Sequence, residues 1–236
     1  MGVLRLFSGG AIGAMALLGL GASLPTQPAQ AETVLQETGT IYPAQSTYTF
    51  SGTAGQTITI TLESADFDPV LSLLGASEEE IASNDDFGGS LNATIIVELP
   101  EDGVYTIIAR SFSGQGGDYD LTVRDATDFE ITYAEAESLA TVENYAEAIA
   151  TYTTAIDIDP DQASAYLGRA QATLGLVYLD AGNTIEGPED IPLEAREAVI
   201  ADFEQAATLF EANGSSDWAA SLREQASLLR SAGVSE

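Results

Sequence analysis

The stretch Thr57-Ile58-Thr59-Ile60-Thr61-Leu62 alternates strictly between threonine and a branched apolar residue. Successive side chains of a β-strand point to opposite faces, so this period of two places the apolar residues on one face and the threonines on the other. Tyr48 and Phe50 alternate in the same way, and so do the residues of 119–123. These segments are therefore predicted to be strands that each turn one face towards a core.

Further strand-like runs lie on both sides of this stretch, and Gly, Asn, Asp and Pro clusters separate them. The runs are 70–74, 93–99 and 104–109, and the turn clusters are 52–55, 84–90, 100–103 and 113–117. No segment with helical spacing interrupts this pattern before residue 127. Seven or eight short strands with such turn signals predict an antiparallel β-sandwich or jelly roll over residues 32–127.

The residue pattern changes near Asp128 to alanine, glutamate, leucine and tyrosine at helical spacing. One predicted helix ends at Asp159-Pro160, because proline cannot continue it. Residues 128–236 are therefore predicted to form helical hairpins, so that the chain has a β domain followed by an α domain. Within this region we expect a long connection at 182–194 and a capping helix at 216–231, with Trp218 in its buried face.

The strand region resembles the bacterial pre-peptidase C-terminal domain over almost all of residues 36–124. The segments that carry the resemblance are, in order, 50–62, 66–71, 82–89, 99–107 and 117–123. The resemblance implies a sandwich of jelly-roll type, which serves as an accessory module of secreted proteins, often proteases. It implies no catalytic residues within the module itself.

The segment Asn144–Pro160 resembles the second half of a tetratricopeptide repeat, with Ala148 and Ala155 at the small positions and Tyr152 between the helices. A second unit begins at Ala163. The family implies recognition of a protein segment in a concave groove. The positions of this chain that match groove positions of the family are Tyr133, Glu137, Ala140, Thr141, Leu167, Gln171 and Leu174.

Residues 1–31 are predicted to be a secretory signal peptide. Arg5 supplies the positive start, residues 11–20 are apolar but too short to span a bilayer reliably, and Ala29-Gln30-Ala31 offers small residues for cleavage. The alternative is an uncleaved anchor, which the cleavage pattern disfavours. We therefore expect export to a periplasm, a lumen or the extracellular medium, with no membrane insertion after cleavage.

The charge and the missing residue types restrict the possible functions. The 236 residues include 37 acidic side chains and seven arginines, with a net charge of −30 and no lysine, histidine or cysteine. Catalytic triads, thiolate chemistry, Schiff bases and zinc sites built on nitrogen or sulfur are thereby excluded. Such a charge repels nucleic acid and anionic lipid. We expect a protein or peptide partner that is not acidic, while the oligomeric state stays open.

Four aspartates in two loops are candidate calcium ligands: Asp66, Asp68, Asp85 and Asp86. If the two loops meet, their oxygens could converge on Ca²⁺. The alternative is turn chemistry, in which Asp and Asn side chains bond their own backbone. Calcium is the one cofactor considered, and otherwise none is expected.

Three functions are therefore weighed. The leading hypothesis is an exported, non-catalytic interaction scaffold that uses the helical groove. The alternative is an extracellular calcium- or polysaccharide-binding module that acts through the acidic loops. A hydrolase built on carboxylates alone ranks last, because no pair of acids stands out as a catalytic pair.

Overall fold

A computed structural model describes residues 33–41, 45–87 and 90–232. The predicted signal peptide lies outside these residues. The strands are β1 Thr33–Ile41, β2 Ser46–Gly52, β3 Thr57–Glu63, β4 Pro69–Leu74, β5 Glu80–Asn84, β6 Ala93–Glu98, β7 Gly103–Ser111 and β8 Gly117–Asp125. The helices are α1 Asp128–Thr141, α2 Tyr145–Ile158, α3 Ala163–Ala181, α4 Leu193–Ala212 and α5 Ser216–Ser231.

The eight strands form two antiparallel sheets of four strands each, in the orders β1-β8-β3-β6 and β2-β7-β4-β5. Successive strands along the chain repeatedly change sheet, as in the two interlocked Greek keys of a jelly roll. The predicted fold class, a jelly-roll sandwich followed by helices, is confirmed.

The alternation in β3 determines the centre of the sandwich core. Ile58, Ile60 and Leu62 are completely buried, and Ile60 and Leu62 lie opposite Val123 and Leu121 of β8. Aromatic side chains from the second sheet, among them Tyr105, close the core from the other side. Burial of these apolar groups is the main contribution to the stability of the sandwich.

The helices pack in chain order, each against the next. Tyr152 of α2 is buried between α1 and α3, and its ring approaches α3 at Gly168. A Cβ atom added at Gly168 would lie 2.5 Å from the Tyr152 ring, so only glycine permits this approach. The predicted role of Tyr152 as the residue that fills the space between helices matches its position.

The connection between α3 and α4 contains two short 3-10 turns, Gly182–Thr184 and Pro188–Asp190. Ile191 anchors it by packing in the core of α3, α4 and α5. Helix α4 already begins at Leu193, within the segment predicted as the connection.

The final helix, α5, packs on α4 through a narrow apolar face of Ala219, Leu222, Ala226 and Leu229. The expectation that Trp218 belongs to this buried face is wrong, since Trp218 remains 46% exposed. It lies at the margin of the interface, where its ring is tilted against Phe210 of α4. Ala219 takes the buried position because the small residue lets the two helices approach closely.

Candidate functional site

The predicted groove residues fall into three groups. Leu167 and Leu174 are partly buried against the core of α3, α4 and α5. Thr141 and Gln171 are exposed on α1 and α3. Tyr133 and Glu137 face the sandwich and line a cavity between α1 and the sheets.

Tyr133 is the centre of an aromatic cluster that joins the two domains. Its ring stacks on Phe129 at a centroid distance of 5.8 Å, and it meets Tyr152 edge-on at 5.9 Å. Phe87, from the loop after β5, contacts the same ring edge-on at 5.7 Å. Tyr133 thus packs simultaneously against its own helix, the neighbouring helix and the sandwich.

The tyrosine hydroxyls of this cluster converge on Glu137. The Tyr152 hydroxyl donates a hydrogen bond to Oε1 of Glu137. Burial, and next the nearby carboxylate of Glu137, raises the pKa of both Tyr133 and Tyr152, so both phenols stay protonated as donors. Glu137 as a whole is an exposed residue.

The junction between the domains is short and tightly bonded. Arg124 of β8 donates two hydrogen bonds to Glu130 of α1, at 2.7 and 2.6 Å. Glu130 also accepts the backbone N–H of Thr127 at 2.8 Å, while the Thr127 hydroxyl accepts the backbone N–H of Glu130 in a reciprocal capping box. The carboxylate of Glu130 thus binds both the last strand of the sandwich and the start of α1, and these bonds fix the orientation of α1 on the sheet.

A cavity of about 330 Å³ opens between the sandwich and α1. Its sandwich wall is formed by residues of β5, β6 and the loop that follows β5, and its helix wall by Tyr133, Ala134 and Glu137. The sequence predicted Tyr133 and Glu137 as groove residues. It gave no signal that Asn84, Asp86 and Phe87 would complete the wall, because that requires the relative placement of the two domains.

The four candidate calcium ligands divide into two places. Burial, and next the negative charges of Asp68 and Asp85, raise the pKa of Asp86. Asp66 instead accepts the backbone N–H of Asp118 at 2.8 Å. Within the ranges 33–41, 45–87 and 90–232, no set of three or more acidic side chains is arranged to hold a metal ion. Calcium binding stays a prediction.

One oxygen among these aspartates lacks a hydrogen-bond donor. Oδ1 of Asp68 is buried and accepts no hydrogen bond from the described residues. The backbone carbonyl of Asp68, in contrast, accepts the N–H of Phe112 at 2.8 Å. A buried carboxylate oxygen without a hydrogen bond costs free energy in the folded state.

None of the described helices is both long enough and apolar enough to cross a membrane.

Two family profiles match the chain. Residues 46–111 match the bacterial pre-peptidase C-terminal domain, and residues 143–182 match a tetratricopeptide repeat. A search of curated proteins finds no match. Pre-peptidase C-terminal domains occur in secreted proteins, tetratricopeptide repeats generally mediate protein–protein interaction, and both are usually non-catalytic.

Two solved structures show partial similarity. The pre-peptidase C-terminal domain of a collagenase from Bacillus anthracis is 16% identical over 38% of this chain and 87% of that chain, with a TM-score of 0.34. PliG from Aeromonas hydrophila, a periplasmic inhibitor of g-type lysozyme, is 21% identical over 42% of this chain and 94% of that chain, also with a TM-score of 0.34. The profile matches occur in the order predicted from the residues: a segment that matches the pre-peptidase C-terminal domain precedes one that matches a tetratricopeptide repeat.

Proposed function

We propose that this chain is an exported, non-catalytic scaffold that binds a protein segment through its helical groove, with the sandwich as an accessory module. The observation that carries the proposal is the match of residues 143–182, which form α2 and α3, to a tetratricopeptide repeat, within a series of helices that each pack on the next. The first and third helices of this series present exposed polar side chains at groove positions, namely Glu137, Thr141 and Gln171.

Two features of the sequence support the exported and non-catalytic parts of the proposal. Residues 1–31 have the organisation of a signal peptide, and the domain that follows belongs to a type found in secreted proteins. The chain also lacks histidine, lysine and cysteine, which perform most nucleophilic and acid–base chemistry in enzymes. Mass spectrometry of the chain isolated from the exported fraction should find Glu32 as its first residue.

Site-specific cross-linking tests the groove directly. A photoreactive amino acid replaces Gln171 on α3 in the full chain, and the matched control carries it at Thr154, which is exposed on α2. We expect discrete protein adducts from position 171 and not from position 154. The identified partner, once purified, should bind the chain and lose affinity when Gln171 is replaced by arginine.

Two results would contradict the scaffold function. Identical adducts from both positions would show that contact is not specific to the groove. An absence of adducts at position 171, together with tight binding of a polysaccharide by the sandwich, would place function outside the helices.

A further inference from the structure

The cavity between the sandwich and α1 combines two aromatic rings with two carboxylates. Phe87 and Tyr133 supply the rings, and Asp86 and Glu137 supply the carboxylates, one from each domain. None of the residues that line this cavity is an arginine, so no internal cation neutralises the pair.

Hydrogen bonds hold the sandwich wall of the cavity in place. Oδ1 of Asn84 accepts the backbone N–H of Thr94 at 2.9 Å, and its amide nitrogen donates to the carbonyl of Asp86 at 2.9 Å. Phe87 pairs through its backbone with Ser90, at 3.3 and 3.1 Å. Hydrogen bonds therefore hold Asp86 and Phe87 in place. A ligand that binds here loses little free energy to the ordering of these residues.

The helix wall is equally constrained. Tyr133 is held between Phe129, Tyr152 and Phe87, and Glu137 is oriented by the hydroxyl of Tyr152. The apolar part of the lining includes Ile95, which is 4% exposed, and Ala134. The cavity thus combines apolar walls with two carboxylates.

The size and chemistry of the cavity select one class of occupant. At about 330 Å³ it is at the small end of ligand sites, which commonly measure ~300–1,000 Å³, and it suits one long side chain better than a large ligand. A cation near an aromatic face gains electrostatic attraction, and its aliphatic stem can lie on an apolar wall. The net charge of −30 additionally attracts cationic segments at long range.

We propose that this cavity receives a lysine or arginine side chain of the partner protein, held between Asp86 and Glu137 and against the rings of Phe87 and Tyr133. This inference rests on the proposed scaffold function and adds to it the chemistry of the partner. Burial, and next the negative charges of Asp68 and Asp85, raise the pKa of Asp86, and an entering cation offsets this repulsion. The sandwich then becomes part of the recognition surface.

Nuclear magnetic resonance titration of the full chain with two small probes tests the proposal. The probes are N-acetyl-arginine methylamide and the uncharged N-acetyl-glutamine methylamide. We expect the arginine probe to shift the backbone amides of residues 84–87 and 133–137 in a saturable way. The glutamine probe should leave them unchanged.

Charge-neutral variants make the test specific. Asp86→Asn and Glu137→Gln should each weaken arginine binding about three- to fivefold, the range of an accessible ion pair. Glu135→Gln is the matched control, because Glu135 is exposed on the same helix and does not line this cavity. Gln at position 137 can still accept the hydroxyl of Tyr152, and unchanged melting temperatures would confirm that each variant folds.

Three outcomes would overturn the proposal. The first is that the chemical-shift changes spread evenly over the acidic surface. The second is that Glu135→Gln weakens arginine binding as much as Asp86→Asn does. The third is that residues 84–87 respond to calcium chloride but not to the arginine probe. The cross-linking at position 171 is independent of these titrations. If groove adducts form but arginine does not bind, only the proposal of a cation-binding cavity is wrong. If arginine binds but no adducts form, only the proposed scaffold function is wrong.

Discussion

The ion pair between Arg124 and Glu130 should stabilise the helical domain as well as the junction. Their side chains are 26% and 14% exposed, and Glu130 accepts two hydrogen bonds from Arg124 and one from the backbone of Thr127. Hydrogen bonds to charged groups contribute ~1.5–3 kcal/mol each in mutational series, and they are not additive. We therefore expect Glu130→Gln to lower the free energy of unfolding by about 2 kcal/mol.

The measurement uses the single tryptophan of the chain. Trp218 lies on α5, so its fluorescence reports urea unfolding of the helices, while circular dichroism follows both domains. A loss of about 2 kcal/mol corresponds to about 4–8 °C in melting temperature for a chain of this size. Glu135→Gln, an exposed change on the same helix, should have almost no effect.

The pH dependence gives an independent check. Burial by itself raises the pKa of Glu130, but hydrogen bonds from Arg124 and Thr127 outweigh it and leave the pKa below the ordinary value of 4.5. A carboxylate with a lowered pKa stabilises the fold above its unfolded pKa and loses that contribution as the pH falls through the folded pKa. The difference between wild type and Glu130→Gln should thus be full at pH 7 and shrink below pH 4.5. An effect no larger than that of Glu135→Gln, or one independent of pH, would refute the reasoning.

Four further predictions concern packing, charge and calcium. Gly168→Ala should lower the free energy of unfolding by about 1–3 kcal/mol, because the new Cβ would lie 2.5 Å from the ring of Tyr152. Thermal unfolding checks this, with Gln171→Ala on the same helix as the control. Arg169→Gln should lower the free energy of unfolding by about 2–3 kcal/mol, because the buried carboxylate of Asp202 loses its two hydrogen bonds of 3.0 and 2.7 Å. A double-mutant cycle of Arg169→Gln with Asp202→Asn should show strong coupling. Asp86→Asn should raise the melting temperature slightly at pH 7, because an acid with a raised pKa opposes folding above that pKa, and the gain should vanish in acid. If calcium binds at these loops, calcium chloride should stabilise the wild type and not Asp86→Asn, whereas equal melting curves in calcium and in chelator would leave the aspartates as turn residues.

The strands that the sequence identified one by one are those with one buried face. Two strands, β1 and β5, were not singled out, and each is at the edge of its sheet. The other two edge strands, β2 and β6, were predicted because they still contribute buried apolar residues such as Phe50 and Ile95. Edge strands face solvent more fully, so polar residues occupy positions that would be apolar inside a sheet. The segment Glu80–Asn84 shows this: none of its residues is fully buried, and the alternation that marks β3 is absent.

The junction was missed for a different reason. Thr127 and Glu130 have the spacing of a capping box, which the sequence displays and which marks the start of α1 at Asp128. Arg124 as the partner of Glu130 needs the end of β8 and the first turn of α1 to face each other, and no local pattern encodes that. The cavity was missed likewise, because the contact of Phe87 with Tyr133 depends on how the sandwich and α1 pack together.

The arginines explain why recognition of a cation is more consistent with this chain than recognition of an anion. Of the six arginines in the described part of the chain, four are paired with carboxylates, and these pairs join β8 to α1, α3 to α4 and, twice, α5 to α4. Arg110 donates to Ser72 and Arg196 to the carbonyl of Pro188. The arginines thus bind neighbouring elements to one another. The residues that line the cavity, in contrast, include no arginine that could pair with Asp86 or Glu137. A partner that supplies the missing positive charge would meet a preformed site, whereas an acidic partner would have to break contacts that hold the fold.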